Sequence, residues 1–214
     1  MTDGPTVRLF VWSDYVCPFC YLELPVIERL RDAYGGRVSI DWRAFELRPD
    51  PEPTLDPDGD YLHDIWGRAV YPMAEQRAMT LRLPPVQPHS RKAHEVAAFS
   101  RSVGRFEAMH ETLFRAFFED GFDIGDEAIL TDLARSAGLD AQALGSALSG
   151  GRFTEVVLND QRLARRMGLT GVPAIVVAPD ESLGGQPLLV SGAQPYEVVA
   201  GAVEQVLAAG RKPS

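Results

Sequence analysis

Residues 7–30 read VRLFVWSDYVCPFCYLELPVIERL, and this stretch decides the fold. Its first part, Val7–Trp12, is rich in β-branched, aromatic and apolar residues, which predicts a buried strand. After a break at residues 13–15, apolar side chains recur with the spacing of a helix that ends before Gly35. These are Leu22, Leu24, Val26, Ile27 and Leu30. The C-x-x-C pair Cys17 and Cys20 is therefore expected where the strand leads into the first turn of the helix.

This position gives the two cysteines different expected properties. Pro18 suits a first helical turn, because the backbone N–H groups there have no partner within the helix. Those free amides and the positive end of the helix dipole favour a thiolate at Cys17. Cys20 lies one turn further along the helix, so we expect it to be more buried and less reactive.

Three interpretations of the pair compete. Two buried cysteines can act as small hydrophobic side chains. Half of a zinc site is a second interpretation, but zinc needs four ligands, and the chain has no second C-x-x-C pair. The four histidines fall in expected helical segments, as surface or satisfied core residues: His63, His89, His94 and His110. A dithiol–disulfide redox centre is the third interpretation, and a C-x-x-C at a strand–helix junction favours it. We expect no metal site and no cofactor.

The rest of the chain predicts a sheet that is interrupted by helices. A second strand is expected at Val38–Arg43, and residues 60–167 are mostly typical of helix, with an aromatic core stripe in Phe106–Phe118. Asp126 and Asp140 follow glycine breaks and are expected to be helix N-caps. Strand character returns at 174–177 and 188–190, before a closing helix at 195–207.

Composition and charge exclude several classes of protein. The chain has 214 residues, with 21 Lys and Arg against 30 Asp and Glu, a net charge of −9. An acidic surface repels phosphate backbones, so nucleic acid is not an expected partner. No apolar run approaches the ~20 residues of a membrane-spanning helix, and no secretory signal is recognisable at the N-terminus. A cytoplasmic location is therefore expected, where two cysteines rarely form a permanent disulfide.

Five sequence segments, in order along nearly the whole chain, carry a resemblance to a known family. They are Asp14-Tyr15-Val16-Cys17-Pro18-Phe19-Cys20-Tyr21-Leu22, Trp42-Arg43-Ala44-Phe45-Glu46-Leu47-Arg48-Pro49, Asp123-Ile124-Gly125-Asp126, Thr170-Gly171-Val172-Pro173 and Ser191-Gly192-Ala193-Gln194-Pro195. With them the chain resembles DsbA-type oxidoreductases, and within those the FrnE-like branch, which is related to 2-hydroxychromene-2-carboxylate isomerases.

The resemblance implies an α/β thioredoxin fold with a large all-helical insertion. Residues 1–58 and 168–214 would form a discontinuous thioredoxin-like domain, and residues 59–167 the helical insertion. In such proteins the proline that corresponds to Pro173 is cis and lies against the cysteine pair, and the backbone of Val172 would bind an extended substrate. Pro18 and Phe19, between the cysteines, complete the expected substrate contacts.

The implied function is thiol–disulfide exchange, with Cys17 as nucleophile and Cys20 as the resolving thiol. The substrate would be a thiol or disulfide of a protein or of a small molecule such as glutathione. Related isomerases and kappa-type glutathione transferases carry serine at the position of Cys17, and oxidising DsbA proteins carry histidine at that of Phe19. A glutathione-dependent transferase or isomerase and a peptide-binding holdase stay open as alternatives, as do the direction of electron flow and a homodimeric state.

Overall fold

A computed structural model describes residues 7–180 and 185–210 of the chain, which form a four-stranded sheet with helices around it. The strands are β1 (Val7–Ser13), β2 (Val38–Ala44), β3 (Ala174–Pro179) and β4 (Leu188–Ser191), in the order β2-β1-β3-β4. β1 pairs parallel with β2, whereas the β1–β3 and β3–β4 pairs are antiparallel. The strands that the sequence predicts are confirmed.

The first unit is strand–helix–strand, as the opening stretch predicts. The helix α1 (Pro18–Tyr34) has Cys17 as its N-cap and ends at Gly35, whose φ of 53° favours glycine. A short 3₁₀ turn at Gly35–Arg37 leads into β2. This parallel crossover places the N-terminus of α1, and with it the cysteine pair, at the end of the central strand β1.

Helices fill the chain between β2 and β3. They are α2 (Asp60–Ile65), α3 (Tyr71–Gln76), α4 (Arg91–Ser102), α5 (Phe106–Phe118), α6 (Glu127–Ser136), α7 (Ala141–Ser149) and α8 (Thr154–Arg166), and a π-helical turn at Trp66–Val70 joins α2 to α3. The side chains of Asp126 and Asp140 accept two backbone N–H bonds each, so both expected N-caps are confirmed. The helix α9 (Tyr196–Gly210) follows β4.

The core is divided between the helices and the sheet. One large cluster of buried side chains joins the helical segment to the start of α1, and it includes Cys17 and Cys20. A second cluster lies between the sheet, α1 and α9. The expected division at residues 58/59 and 167/168 stays a prediction. Among the described helices, none combines the length and apolar character needed to cross a membrane.

Candidate active site

The cysteine pair lies at the junction of β1 and α1, as the sequence predicts. The backbone N–H of Cys17 donates to Asp14 O at 3.1 Å, and the N–H of Cys20 donates to Cys17 O at the same distance. These bonds form a tight turn that brings the two thiols together at the first turn of the helix. Both cysteines are free thiols, and both are buried.

The two thiols differ in their surroundings. Burial, and after it the hydrogen bond with Cys17, raises the pKa of the Cys20 thiol well above its ordinary value. The backbone N–H of Asp14 donates to Cys20 Sγ at 3.4 Å and acts in the opposite direction. Cys20 therefore holds its proton near neutral pH. Its thiol can then serve as a hydrogen-bond donor to a negatively charged Cys17.

The loop before β3 lies against Cys17. Cys17 Sγ lies 3.5 Å from the carbonyl oxygen of Val172, although the two residues are 155 positions apart in the chain. The peptide bond between Val172 and Pro173 is cis. Pro173 is buried, and its own carbonyl accepts from Gly192 N at 2.8 Å, which ties this loop to the end of β4.

Pro18 and Phe19 lie between the cysteines and are both half-buried. Pro18 occupies the first position of α1, where its missing N–H costs nothing. The Phe19 ring packs against the helical core cluster. All four expected substrate contacts are therefore at or beside the dithiol, two on α1 and two on the loop that precedes β3.

Asp14 is a buried carboxylate beside the dithiol, and the sequence alone gave it no definite role. Asp14 is fully buried, and its carboxylate accepts from Leu47 N at 2.7 Å and from Val16 N at 3.4 Å. His94 Nε2 lies 3.3 Å from the same carboxylate. Asp14 thus fixes the turn that carries Cys17 and joins it to the loop after β2 and to helix α4.

A second histidine lies behind this turn. The Tyr15 hydroxyl and His110 Nδ1 share a hydrogen bond of 2.7 Å. Burial, with Arg101 and His94 nearby, lowers the pKa of His110 from 6.5 to about 3, so its ring is neutral. Burial also raises the pKa of Tyr15 far above its usual value. Sequence spacing gave no sign of the Tyr15–His110 contact or of the earlier contact between Asp14 and His94, because the partners lie on different elements.

A groove of about 160 Å³ opens next to Val16, the residue before Cys17. Its other walls include Leu47, Arg48, Leu55 and Tyr61. This groove is mostly apolar, and Arg48 is the one cationic side chain among its walls. Within residues 7–180 and 185–210, no three His, Cys, Asp or Glu side chains come together as a metal-binding group.

Comparisons with known proteins identify the family to which the chain belongs. The family described as DSBA-like thioredoxin domain matches residues 8–204. The uncharacterized protein YwbO of Bacillus subtilis (strain 168) is 35% identical over 177 residues, which cover 80% of this chain and 87% of that protein. The crystal structure of the probable DsbA oxidoreductase SCO1869 from Streptomyces coelicolor superposes with a TM-score of 0.77 and 28% identity, covering 97% of this chain and 92% of that one.

A structure of 2-hydroxychromene-2-carboxylate isomerase has the same fold, with a TM-score of 0.75, 18% identity and coverage of 94% and 96%. This DsbA-like thioredoxin fold is shared by oxidoreductases and by isomerases. This chain belongs to the DSBA-like thioredoxin domain family. The resemblance drawn from the sequence and the expected fold class are both confirmed.

Proposed function

We propose that the protein is a thiol–disulfide oxidoreductase that uses Cys17 as its nucleophile and Cys20 as its resolving thiol. The observation that carries this proposal is the asymmetry of the pair. Cys17 lies at a helix N-terminus beside the Val172 carbonyl, while burial keeps the Cys20 thiol protonated. An exchange reaction needs one thiol that attacks first and a second thiol that stays protonated until the mixed disulfide has formed.

The reaction proceeds in two exchange steps. The Cys17 thiolate attacks one sulfur of a substrate disulfide, which forms a mixed disulfide and releases the other substrate sulfur as a thiolate that takes up a proton. Cys20 then loses its proton and attacks Cys17 Sγ. The Cys17–Cys20 disulfide forms, and the second substrate sulfur leaves. Two electrons pass from the protein dithiol to the substrate, and the reverse sequence oxidises a substrate dithiol.

The surroundings of the two thiols support the separate roles of Cys17 as nucleophile and Cys20 as resolving thiol. The Asp14 N–H donates to Cys20 Sγ and would stabilise the Cys20 thiolate when it forms in the second step. Before that step, the Cys20 thiol stabilises the Cys17 thiolate, so each sulfur supports the other at a different stage. The probable DsbA oxidoreductase among the similar structures fits the same chemistry.

The proposed substrate is a thiol or disulfide on an extended peptide or on a small molecule such as glutathione. Extended chains bind by pairing with backbone groups, and Val172 offers its backbone directly beside Cys17. The groove beside Val16 adds an apolar surface for side chains that flank the reacting sulfur. Pro18 and Phe19, which are half-buried between the cysteines, are the other proposed substrate contacts.

The test is to equilibrate the protein in glutathione buffers of known potential and to count free thiols by alkylation and mass spectrometry. We expect native protein to change between a dithiol and a Cys17–Cys20 disulfide as the potential rises. Cys17→Ser and Cys20→Ser should each lose that transition. A pair that never forms an internal disulfide would overturn the proposal.

The same variants distinguish thiol–disulfide exchange from the two alternative functions. A glutathione-dependent transferase or isomerase needs only one activating group near Cys17, and an isomerase is among the solved structures that share this fold. Its turnover would survive Cys20→Ser. A holdase would keep its ability to suppress aggregation after both cysteines are replaced. Disulfide reduction that is lost in Cys17→Ser and stalls as a mixed disulfide in Cys20→Ser supports exchange chemistry instead.

A further inference from the structure

The β1 side chains that face helix α1 form a row that ends in a serine. Val7, Leu9 and Val11 pack in the buried cluster between the sheet, α1 and α9. Side chains two residues apart in a strand lie on the same face, so Ser13 takes the next position in this row. Trp12 belongs to a separate cluster on the other face. Ser13 is thus the polar member of an otherwise apolar row, where β1 leads into the turn before α1.

Ser13 lies against the resolving thiol. It is only 5% exposed, and its carbonyl accepts from Phe45 N at 3.0 Å, which fixes its backbone. The N–H of the next residue, Asp14, donates to Cys20 Sγ at 3.4 Å. The Ser13 hydroxyl acts on the same sulfur and lowers the pKa of Cys20. The end of β1 therefore presents two adjacent hydrogen-bond donors to one thiol.

The Ser13 hydroxyl lacks a strong acceptor while Cys20 is protonated. Among the described residues it makes no hydrogen bond of ordinary geometry, although Oγ is buried. A buried hydroxyl without an acceptor costs stability, and alanine would fill nearly the same space without that cost. The hydroxyl hydrogen rotates to suit its acceptor, and a sulfur anion accepts more strongly than a neutral thiol. Loss of the Cys20 proton therefore supplies the acceptor that this hydroxyl lacks.

The other groups around Cys20 leave its thiolate dependent on these donors. On α1, Cys17 raises the pKa of Cys20, and it carries no charge once it is part of a mixed disulfide. On the turn and on α4, Asp14 and His94 pair with each other at 3.3 Å. Burial is the largest effect on Cys20 and opposes its ionisation. Among the described residues, the groups that lower its pKa are the Asp14 N–H and the Ser13 hydroxyl.

We propose that Ser13 is a further catalytic residue of the resolving step, in which its hydroxyl donates a hydrogen bond to the Cys20 thiolate as that thiolate forms. This role rests on the proposed exchange function. Cys20 attacks Cys17 Sγ, the Cys17–Cys20 bond forms, and the bond from Cys17 to the substrate sulfur breaks. The proton that Cys20 released passes to the leaving thiolate or to buffer. Ser13 keeps its own proton throughout, so it stabilises the thiolate and does not act as a base.

Stopped-flow mixing with excess dithiobis(nitrobenzoate) measures the two exchange steps separately. Attack by Cys17 releases one coloured thionitrobenzoate, in a phase whose rate increases with reagent concentration. Attack by Cys20 on the mixed disulfide releases the second thionitrobenzoate, in a phase whose rate is independent of reagent concentration. The first phase therefore serves as an internal control for any change in the second.

Ser13→Ala should slow the second phase and leave the first unchanged. Loss of one hydrogen bond to a charged sulfur lowers the thiolate fraction of Cys20 about tenfold. The remaining thiolate is more nucleophilic, so the rate near neutral pH should fall by about threefold. Ser13→Thr keeps the hydroxyl and should keep the native rate. Ser100→Ala removes a buried hydroxyl of α4 that donates to Ala97 O at 2.7 Å, and both phases should stay native.

The ionisation of Cys20 provides a second readout, which a purely structural role of Ser13 would not change. In a Cys17→Ser background Cys20 is the only thiol of the chain, and NMR of its labelled Cβ follows its titration. Adding Ser13→Ala should move this titration to a pH about one unit higher. Adding Ser100→Ala should leave it unchanged. Circular dichroism verifies that each variant keeps the native fold.

Three results would overturn the role of Ser13. They are a native second phase with a native Cys20 titration in Ser13→Ala, an equal slowing in Ser100→Ala, and a Ser13→Thr variant as slow as Ser13→Ala. Failure of the exchange function itself would look different. In that case the native protein would show no second phase that is independent of reagent concentration.

Discussion

Replacing His110 by phenylalanine should make mild acid more stabilising for this protein than it is for the native chain. Burial lowers the pKa of His110 from 6.5 in the unfolded chain to about 3 in the folded protein. Between these values the unfolded chain binds a proton that the folded protein does not, so falling pH favours unfolding. Each pKa unit corresponds to about 1.4 kcal/mol, so moving from pH 7.5 to pH 5 costs about 2 kcal/mol at this residue.

Glu23 provides a control with the opposite sign. Burial raises the pKa of this carboxyl from 4.5 to about 7, against the effect of Arg77 at 2.9 Å. Between these values the folded protein holds a proton that the unfolded chain has released, so stability is lost as the pH rises. Moving from pH 7.5 to pH 5 therefore gains about 2 kcal/mol at Glu23. In the native protein the two contributions nearly cancel.

Urea unfolding at pH 7.5 and pH 5, followed by circular dichroism, measures both effects. Relative to the native protein, the free energy of unfolding should rise by about 2 kcal/mol on acidification in His110→Phe and fall by about 2 kcal/mol in Glu23→Gln. Only the change between the two pH values matters, because the hydrogen bond that His110→Phe loses to Tyr15 costs the same at both. A His110→Phe variant with the native pH response would refute the reasoning.

Three further predictions concern the dithiol and the turn that carries it. Phe19→His should shift the reduction potential by ~30 mV to the oxidising side, because imidazole can give the Cys17 thiolate one hydrogen bond worth ~1.4 kcal/mol; equal potentials in glutathione buffer would contradict this. Iodoacetamide should modify Cys17 before Cys20, whose pKa is raised by burial; peptide mass spectrometry showing Cys20 first would reverse the assigned roles. Asp14→Asn should lower the free energy of unfolding by about 2 kcal/mol, because a buried charged acceptor of Leu47 N is replaced; a loss below about 0.5 kcal/mol in urea would argue against it.

Local pattern was sufficient to predict most of the fold. The β-branched run of β1 and the helical spacing after Cys20 reflect burial that each element needs by itself, and both are confirmed. Asp126 and Asp140 act within their own helices, which is why their capping roles follow from sequence. The cysteine pair was equally predictable, since a tight turn of four residues positions both thiols.

The contacts that surround the dithiol could not be predicted in the same way. His94 reaches Asp14 across 80 residues, and His110 reaches Tyr15 across 95, through the packing of α4 and α5 against the end of β1. Sequence reasoning treated these histidines as surface or satisfied core residues. His94 is satisfied by Asp14, but one nitrogen of His110 has no partner within the part of the chain that the structure describes. His110 also lines a cavity between β2 and the helices α4, α5 and α8, and this cavity exists only because helices and sheet pack together.

The most direct test of the central claim uses Cys20→Ser with oxidised glutathione at neutral pH. If Cys17 is the nucleophile and Cys20 the resolving thiol, one glutathione should accumulate as a mixed disulfide on Cys17, because no second thiol can release it. Intact mass and peptide mapping identify the adduct and its position, with Cys17→Ser as the matched control. An adduct that forms as fast on Cys20 of the Cys17→Ser variant, or none on Cys17, would contradict the account.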